Sequence, residues 1–204
     1  MSVPDFIAVI KDALIGLAAA TTAVVAVLGL YSWRRELTGR TEFETARHLM
    51  NATYKLREEV ASSRAPFVSA GEFPEDYRGP AEASSQEEAR AWSHIYRNRW
   101  APIRTALEEL DSRALEAEAL WGHEIKEKTD ELRQCIVELR VAMDAIVDDK
   151  AEGGENFKQD REFGRRMRST VHASRNDQEN ELSRRIANAI AGIEAQARPH
   201  LRRS

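Results

Sequence analysis

The chain has 204 residues, 42% hydrophobic and 31% charged, with a formal net charge of -4. That balance is ordinary for a globular protein and excludes collagen-like, mucin-like and wholly disordered classes. Its one cysteine, Cys135, excludes an intramolecular disulfide framework and any multi-cysteine zinc or iron–sulfur site.

The strongest signal comes first in the chain. From Ala13 to Tyr31 run nineteen residues without a charge. A helix of that length spans about 28 Å, close to the roughly 30 Å of a bilayer hydrocarbon core. Leu14, Ile15, Leu17, Val24, Val25, Val27, Leu28 and Leu30 supply its hydrophobicity, and the aromatics Tyr31 and Trp33 stand where a headgroup boundary would fall. Residues 13–33 therefore read as a transmembrane helix. The first ten residues carry no positive charge, so an uncleaved anchor is expected over a signal peptide. Asp5, Lys11 and Asp12 precede the span, while Arg34, Arg35 and Arg40 follow it. The positive-inside rule then puts residues 1–12 outside and the rest in the cytosol of a bacterial inner membrane. Tyr31, Trp33, Arg34 and Arg35 are the expected interface residues. Small residues recur four apart at Gly16 and Ala20 and at Ala19 and Ala23, a spacing that lets helices approach in lipid, so Gly16, Ala20 and Ala23 are the candidate association face.

A juxtamembrane helix is expected over 34–64, with Thr41-Glu42-Phe43-Glu44 at capping-box spacing and a stop before Pro66. Residues 65–84 read as a loop that Phe67, Phe73 and Tyr77 help to bury. The region 85–204 reads as a helical bundle. Ser85 and Glu88 are spaced to cap a long helix. Along it Tyr96, Ile103, Leu110 and Ala117 alternate with Trp100, Leu107, Ala114 and Trp121 in an a/d seam, which Pro102 is expected to kink or split. After Gly122 a second seam runs through Ile125, Thr129, Leu132, Ile136, Leu139, Met143 and Ile146. A turn at Gly122 would bring the seams together as a coiled-coil-like hairpin. Glu152 to Asn156 reads as the next turn. A shorter helix bearing Phe157, Phe163, Met167 and Val171 follows, then a polar break at 174–180. A last helix through Leu182, Ile186, Ile190 and Ile193 is expected to end at Pro199. No segment alternates with period two. The expected fold is all-α: one transmembrane helix, then a cytosolic bundle of about five helices.

No catalytic set emerges, and no cofactor or metal is expected. His123-Glu124 starts like a zincin motif, but Glu127 stands where the second histidine belongs. Gly153-Gly154 lacks the lysine and hydroxyl of a phosphate loop. Charge is divided: 21 acids and 11 bases lie between Glu72 and Phe157, against 6 acids and 11 bases from Lys158 onward. The basic end is expected to fold onto the acidic hairpin or simply to solvate the surface, with anionic lipid the next option and nucleic acid the least favoured. Trp92, Tyr96, Arg97, Arg99, Trp100 and Arg104 form an aromatic and arginine cluster that reads as core with outward guanidinium groups. Arg57, Arg64, Trp92, Arg97, Trp100, Arg165 and Arg166 are the candidate contacts for a partner or anionic ligand.

The stretch WRRELTGRTEFETAR after the span, then YKLREEVASSRAPFVSAGEF and the ending IEAQARPHLRR, resembles a family of uncharacterised bacterial single-pass membrane proteins. The resemblance implies an inner-membrane anchor with a juxtamembrane helix and supplies no activity; it draws attention to Trp33, Arg34, Glu36, Gly39, Arg47, Arg57, Arg64 and Pro66. The function expected from all of this is a membrane-anchored, self-associating helical scaffold or interaction module, not an enzyme, with the bilayer and a second copy or a protein as partners. The rival is a membrane effector or sensor of bacterial stress or phage defence that perturbs the bilayer when its cytosolic body is engaged.

Overall fold

The computed structural model describes residues 3–174, 177 and 179–201. Every regular element among them is helical: α1 (Val3–Ser63), a 3-10 turn (Ala70–Glu72), α2 (Ser85–Trp121), α3 (His123–Ala151), α4 (Glu155–Gln159), α5 (Arg161–Val171) and α6 (Glu181–Leu201).

Transmembrane and juxtamembrane segments were expected as two helices, and they are one. Thr41 does not cap: its hydroxyl donates to the Leu37 carbonyl, one turn back inside a continuous helix. No proline stands between Tyr31 and Val60, and the single glycine there, Gly39, costs only about 1 kcal/mol in helix propensity and does not end the ladder. At 1.5 Å per residue the 61 residues of α1 form a rod of about 90 Å. Its second half enters a core shared with three other helices. Leu49 and Leu56 from α1, Ile95, Ile103 and Leu110 from α2, Leu132, Ile136, Leu139 and Met143 from α3, and Ile193 from α6 are all essentially inaccessible. Around that core α1 adjoins α2 and α6, and α3 adjoins the same two helices, while α5 lies on the outside of α3.

The hairpin turns where expected. Gly122 closes α2 and opens α3 at φ 88°, a conformation that a side chain would strain. All seven positions of the second seam are buried. The first seam buries Tyr96, Ile103, Leu110, Ala114 and Ala117 and leaves Trp100, Leu107 and Trp121 half-covered at its margin. Ion pairs Glu88–Lys150 and Asp111–Arg133 bridge the two helices.

Three boundaries differ from expectation. The N-terminal box of α2 is Ser84 with Glu87: the Ser84 hydroxyl accepts from the Glu87 amide and the Glu87 carboxylate accepts from the Ser84 amide. Ser85 with Glu88 offers the same spacing one residue on, but Glu88 goes to Lys150 instead. Pro102 lies inside α2, which runs on to Trp121 without splitting there. Pro199 likewise sits in the last turn of α6, which continues to Leu201. The expected turn at Glu152 runs directly into α4, whose first turn is held by Asp149: its buried carboxylate accepts from the Phe157 amide at 2.8 Å. Part of the polar break at 174–180, namely Arg175, Asn176 and Gln178, lies outside the described residues.

The ends of the body have distinct composition. At the end nearer the apolar half of α1, His200 stacks on Trp121 with centroids 4.2 Å apart and its Nδ1 lies 3.2 Å from Glu42. At the far end the C-termini of α1, α3 and α5 meet the N-termini of α2 and α6, and polar side chains replace the core.

Candidate functional site

Two features stand apart from ordinary core and surface. The first is the exposed half of α1. Its eight strong apolar residues keep between 56% and 66% of their surface, and among the described residues nothing outside α1 covers them. The mean hydropathy of its best 18-residue window is 2.1. Single exposed leucines mean little, but monomeric soluble proteins rarely present contiguous apolar patches beyond a few hundred Å². Tyr31, Trp33, Arg34 and Arg35 follow along the same exposed rod. Thr21 and Thr22 donate to the Leu17 and Ala18 carbonyls at 2.9 Å, so their hydroxyl protons are satisfied within the helix. Gly16, Ala20 and Ala23 lie along this rod with nothing packed on them; around Gly16 the space is open even to an added methyl group.

The second feature is the polar joint at the far end, built around two guanidinium groups. Arg64, the first residue after α1, is only 4% exposed. It donates to the Thr170 carbonyl at 2.8 Å, the Ser169 carbonyl at 3.3 Å, the Ser183 hydroxyl at 2.9 Å and the Asn180 side-chain carbonyl at 2.8 Å. Its own carbonyl accepts from Ala173 at 3.1 Å. One side chain thus ties the end of α1 to the last turn of α5 and the first turn of α6. Every one of those acceptors is neutral, so burial pulls its pKa below the usual arginine value, with Asp177 partly opposing.

Arg99 of α2 plays the complementary part. It donates to the Ser63 and Ala65 carbonyls at 3.1 and 2.8 Å, to the Phe67 carbonyl at 2.8 Å and to both oxygens of Glu72 at 2.6 and 3.0 Å. A cation at the carbonyl end of α1 complements the helix dipole, and the same fork folds loop 65–72 down onto α2. Glu72 answers by capping the 3-10 turn through the Ser69 amide, and Arg99 first, helped by that amide, holds its carboxyl below the usual range.

Around Arg99 lie three of the four buried side-chain polar atoms that have no partner among the described residues: Ser63 Oγ, Tyr96 Oη and His172 Nδ1. Burial raises the Tyr96 phenol, with Arg99 opposing. Burial lowers the His172 imidazole, and Arg99 and Arg64 lower it further. A cleft of about 340 Å³ opens beside the joint, lined by Glu59, Ser62, Ser63, Phe67, Glu72 and Arg99 among others. Phe67, expected to bury, stands 77% exposed on its rim, whereas Phe73 stacks on Tyr77 at 4.8 Å and meets Trp92 edge-on.

The remaining expected contacts scatter. Arg57 is exposed, paired with Glu58 and laid over the Tyr54 ring. Trp92 packs against Tyr96 beneath Lys150, and Trp100 lies beneath Arg140. Arg97 is exposed beside a shallow hollow of about 180 Å³. Arg165 and Arg166 are exposed on α5, Arg166 over the Phe163 ring. These side chains do not converge on one site. Arg185 pairs with Glu138, so part of the basic end does meet the acidic hairpin. Cys135 is buried, and burial pushes its thiol up, away from the reactive thiolate form. Among the described residues no three histidine, cysteine or carboxylate groups are placed to hold a metal ion.

No protein-family model, curated protein or solved structure matches the chain.

Proposed function

We propose that this chain is a single-pass membrane protein whose helical body is a scaffold or interaction module that self-associates. The observation that carries the reading is α1 itself: one half is an exposed apolar rod and the other half is core of the body, with no break between them. Covering roughly 100 Å² on each of eight apolar side chains is worth about 20 kcal/mol at 25 cal/mol per Å², and a bilayer or neighbouring copies supply that cover. Arg64 and Arg99 tie the ends of helices together at the far end of the body, which supports a scaffold role for it. The small residues of the span offer the self-association face. The arginines after Trp33 favour a cytosolic body in a bacterial inner membrane.

The test is alkaline extraction of membranes followed by in-cell crosslinking through a photo-reactive phenylalanine analogue at Leu17, an exposed apolar position beside Gly16 and Ala20. Retention in the membrane pellet with bands containing two or more copies is the expected result. Release by alkali, or a monomer under all conditions, overturns it. A second reading is favoured by the continuity of α1, which lets the body act mechanically on the span: an effector that depolarises the membrane. It requires that overexpression collapse the potential and that Gly16→Leu with Ala20→Leu restore it.

A further inference from the structure

His172 caps the C-terminus of α5 between Thr170, whose carbonyl accepts from Arg64, and Ala173, and its Nδ1 is buried with no partner among the described residues. Its backbone continues directly into Ala173, the residue whose amide is bonded to the Arg64 carbonyl. We infer that His172 is a proton-operated release for the joint that fastens the end of α1 to the α5–α6 connection.

The charges that face this histidine come from each element around it. Arg64 at the end of α1 and Arg99 on α2 are the cations acting on it. Glu72 is already committed to Arg99 through both carboxylate oxygens. Asp177 acts on Arg64, but no bond joins it to the imidazole among the described residues. Tyr96 is a neutral phenol. A proton added to the ring therefore adds a third positive charge to those of Arg64 and Arg99, and among the described residues Glu72 is already committed to Arg99. The bonds most exposed to that repulsion are those Arg64 makes to Ser169, Thr170, Asn180 and Ser183, since their acceptors are neutral and cannot follow the charge. A neutral imidazole keeps the joint shut, and an acidified cytosol opens it. Because α1 continues as the apolar rod, loosening its anchorage would be felt at the other end of the same helix.

The full chain, purified in detergent, is followed by hydrogen exchange between about pH 7.5 and 5.5, with rates corrected for intrinsic exchange. Segments 60–73 and 166–184 are expected to exchange about tenfold faster at the acid end in the wild type, while α2 and α3 interior segments do not. In His172→Gln the acid-induced acceleration is expected to vanish. Equal acceleration in both proteins, or none in either, overturns the inference. A second measurement needs no variant: NMR titration of the five histidines should show His172 protonating at lower pH than exposed His123. Coincident titration would also overturn it. None of these readouts depends on where the protein resides, so their failure is distinct from failure of the membrane reading.

Discussion

Arg64→Ala is the sharpest single perturbation of this fold. The side chain makes four hydrogen bonds, and it is one of the few charged groups buried in the molecule. Bonds donated by a charged group are worth about 1.5–3 kcal/mol each, before the cost of burying the guanidinium, which is several kcal/mol. The residual is an expected loss of about 3–5 kcal/mol, because truncation takes the Arg64 donor from Thr170 and detaches α1 from α5 and α6, although Ser169 and Asn180 keep the Asn180 side-chain amide and the Ser183 backbone amide as donors. Arg57→Ala is the matched control: exposed, paired with its neighbour Glu58 and laid over the Tyr54 ring, and expected to change stability by about 0.5 kcal/mol or less. Chemical denaturation of the full chain in detergent, followed by far-UV circular dichroism, compares the two at fixed lipid and detergent content. A loss below about 1 kcal/mol for Arg64→Ala would refute the claim that this arginine holds the far end together.

Other perturbations test separate parts. Gly164→Ala should lower the thermal midpoint, since an added Cβ would lie 2.7 Å from the Phe157 Cβ; overpacking of about 1–3 kcal/mol exceeds the roughly 1 kcal/mol gained in helix propensity. An unchanged or raised midpoint would show that α4 and α5 are not tightly seated. Glu72 carries a depressed pKa, mainly from Arg99, so its contribution is complete above the ordinary carboxyl value and fades as pH falls through the depressed one. Glu72→Gln should accordingly destabilise the protein at neutral pH and flatten that part of the acid limb, read by denaturation midpoints at several pH values. Asp149→Ala should cost about 1–3 kcal/mol by orphaning the Phe157 amide, with faster exchange confined to α4 and its flanking turn.

The helices were legible where one short-range rule decided them. The second seam reads off directly because every one of its seven positions meets the same core, and Gly122 announces the turn. Where two local solutions compete, spacing alone is ambiguous: Ser84–Glu87 and Ser85–Glu88 are equivalent as strings, and the choice falls to Lys150, which claims Glu88 from 62 residues away. Thr41 shows the opposite error, since a capping pattern inside an unbroken helix has no free amides to cap. The joint was hidden for a different reason. Arg64 meets partners 105 to 119 residues along the chain and Arg99 partners 27 to 36 residues back, so no window of sequence displays them together. The sequence singled out Arg64 as a partner or ligand contact and Arg99 as an outward guanidinium of the aromatic cluster, and nothing in it joined the two.

The unbroken course of α1 also sets an angular relation. Successive residues turn about 100° around a helix axis, so the count of residues between Gly16 and Leu49 determines which way the small-residue face points when the core is assembled. Inserting one residue near Gly39 would swing that face by about 100°, whereas inserting seven would return it to within about 20°. In the proposed self-association, α1 would act as a phase key: two copies whose bodies met in a fixed orientation would bring Gly16 and Ala20 together only at the native residue count or near multiples of the heptad.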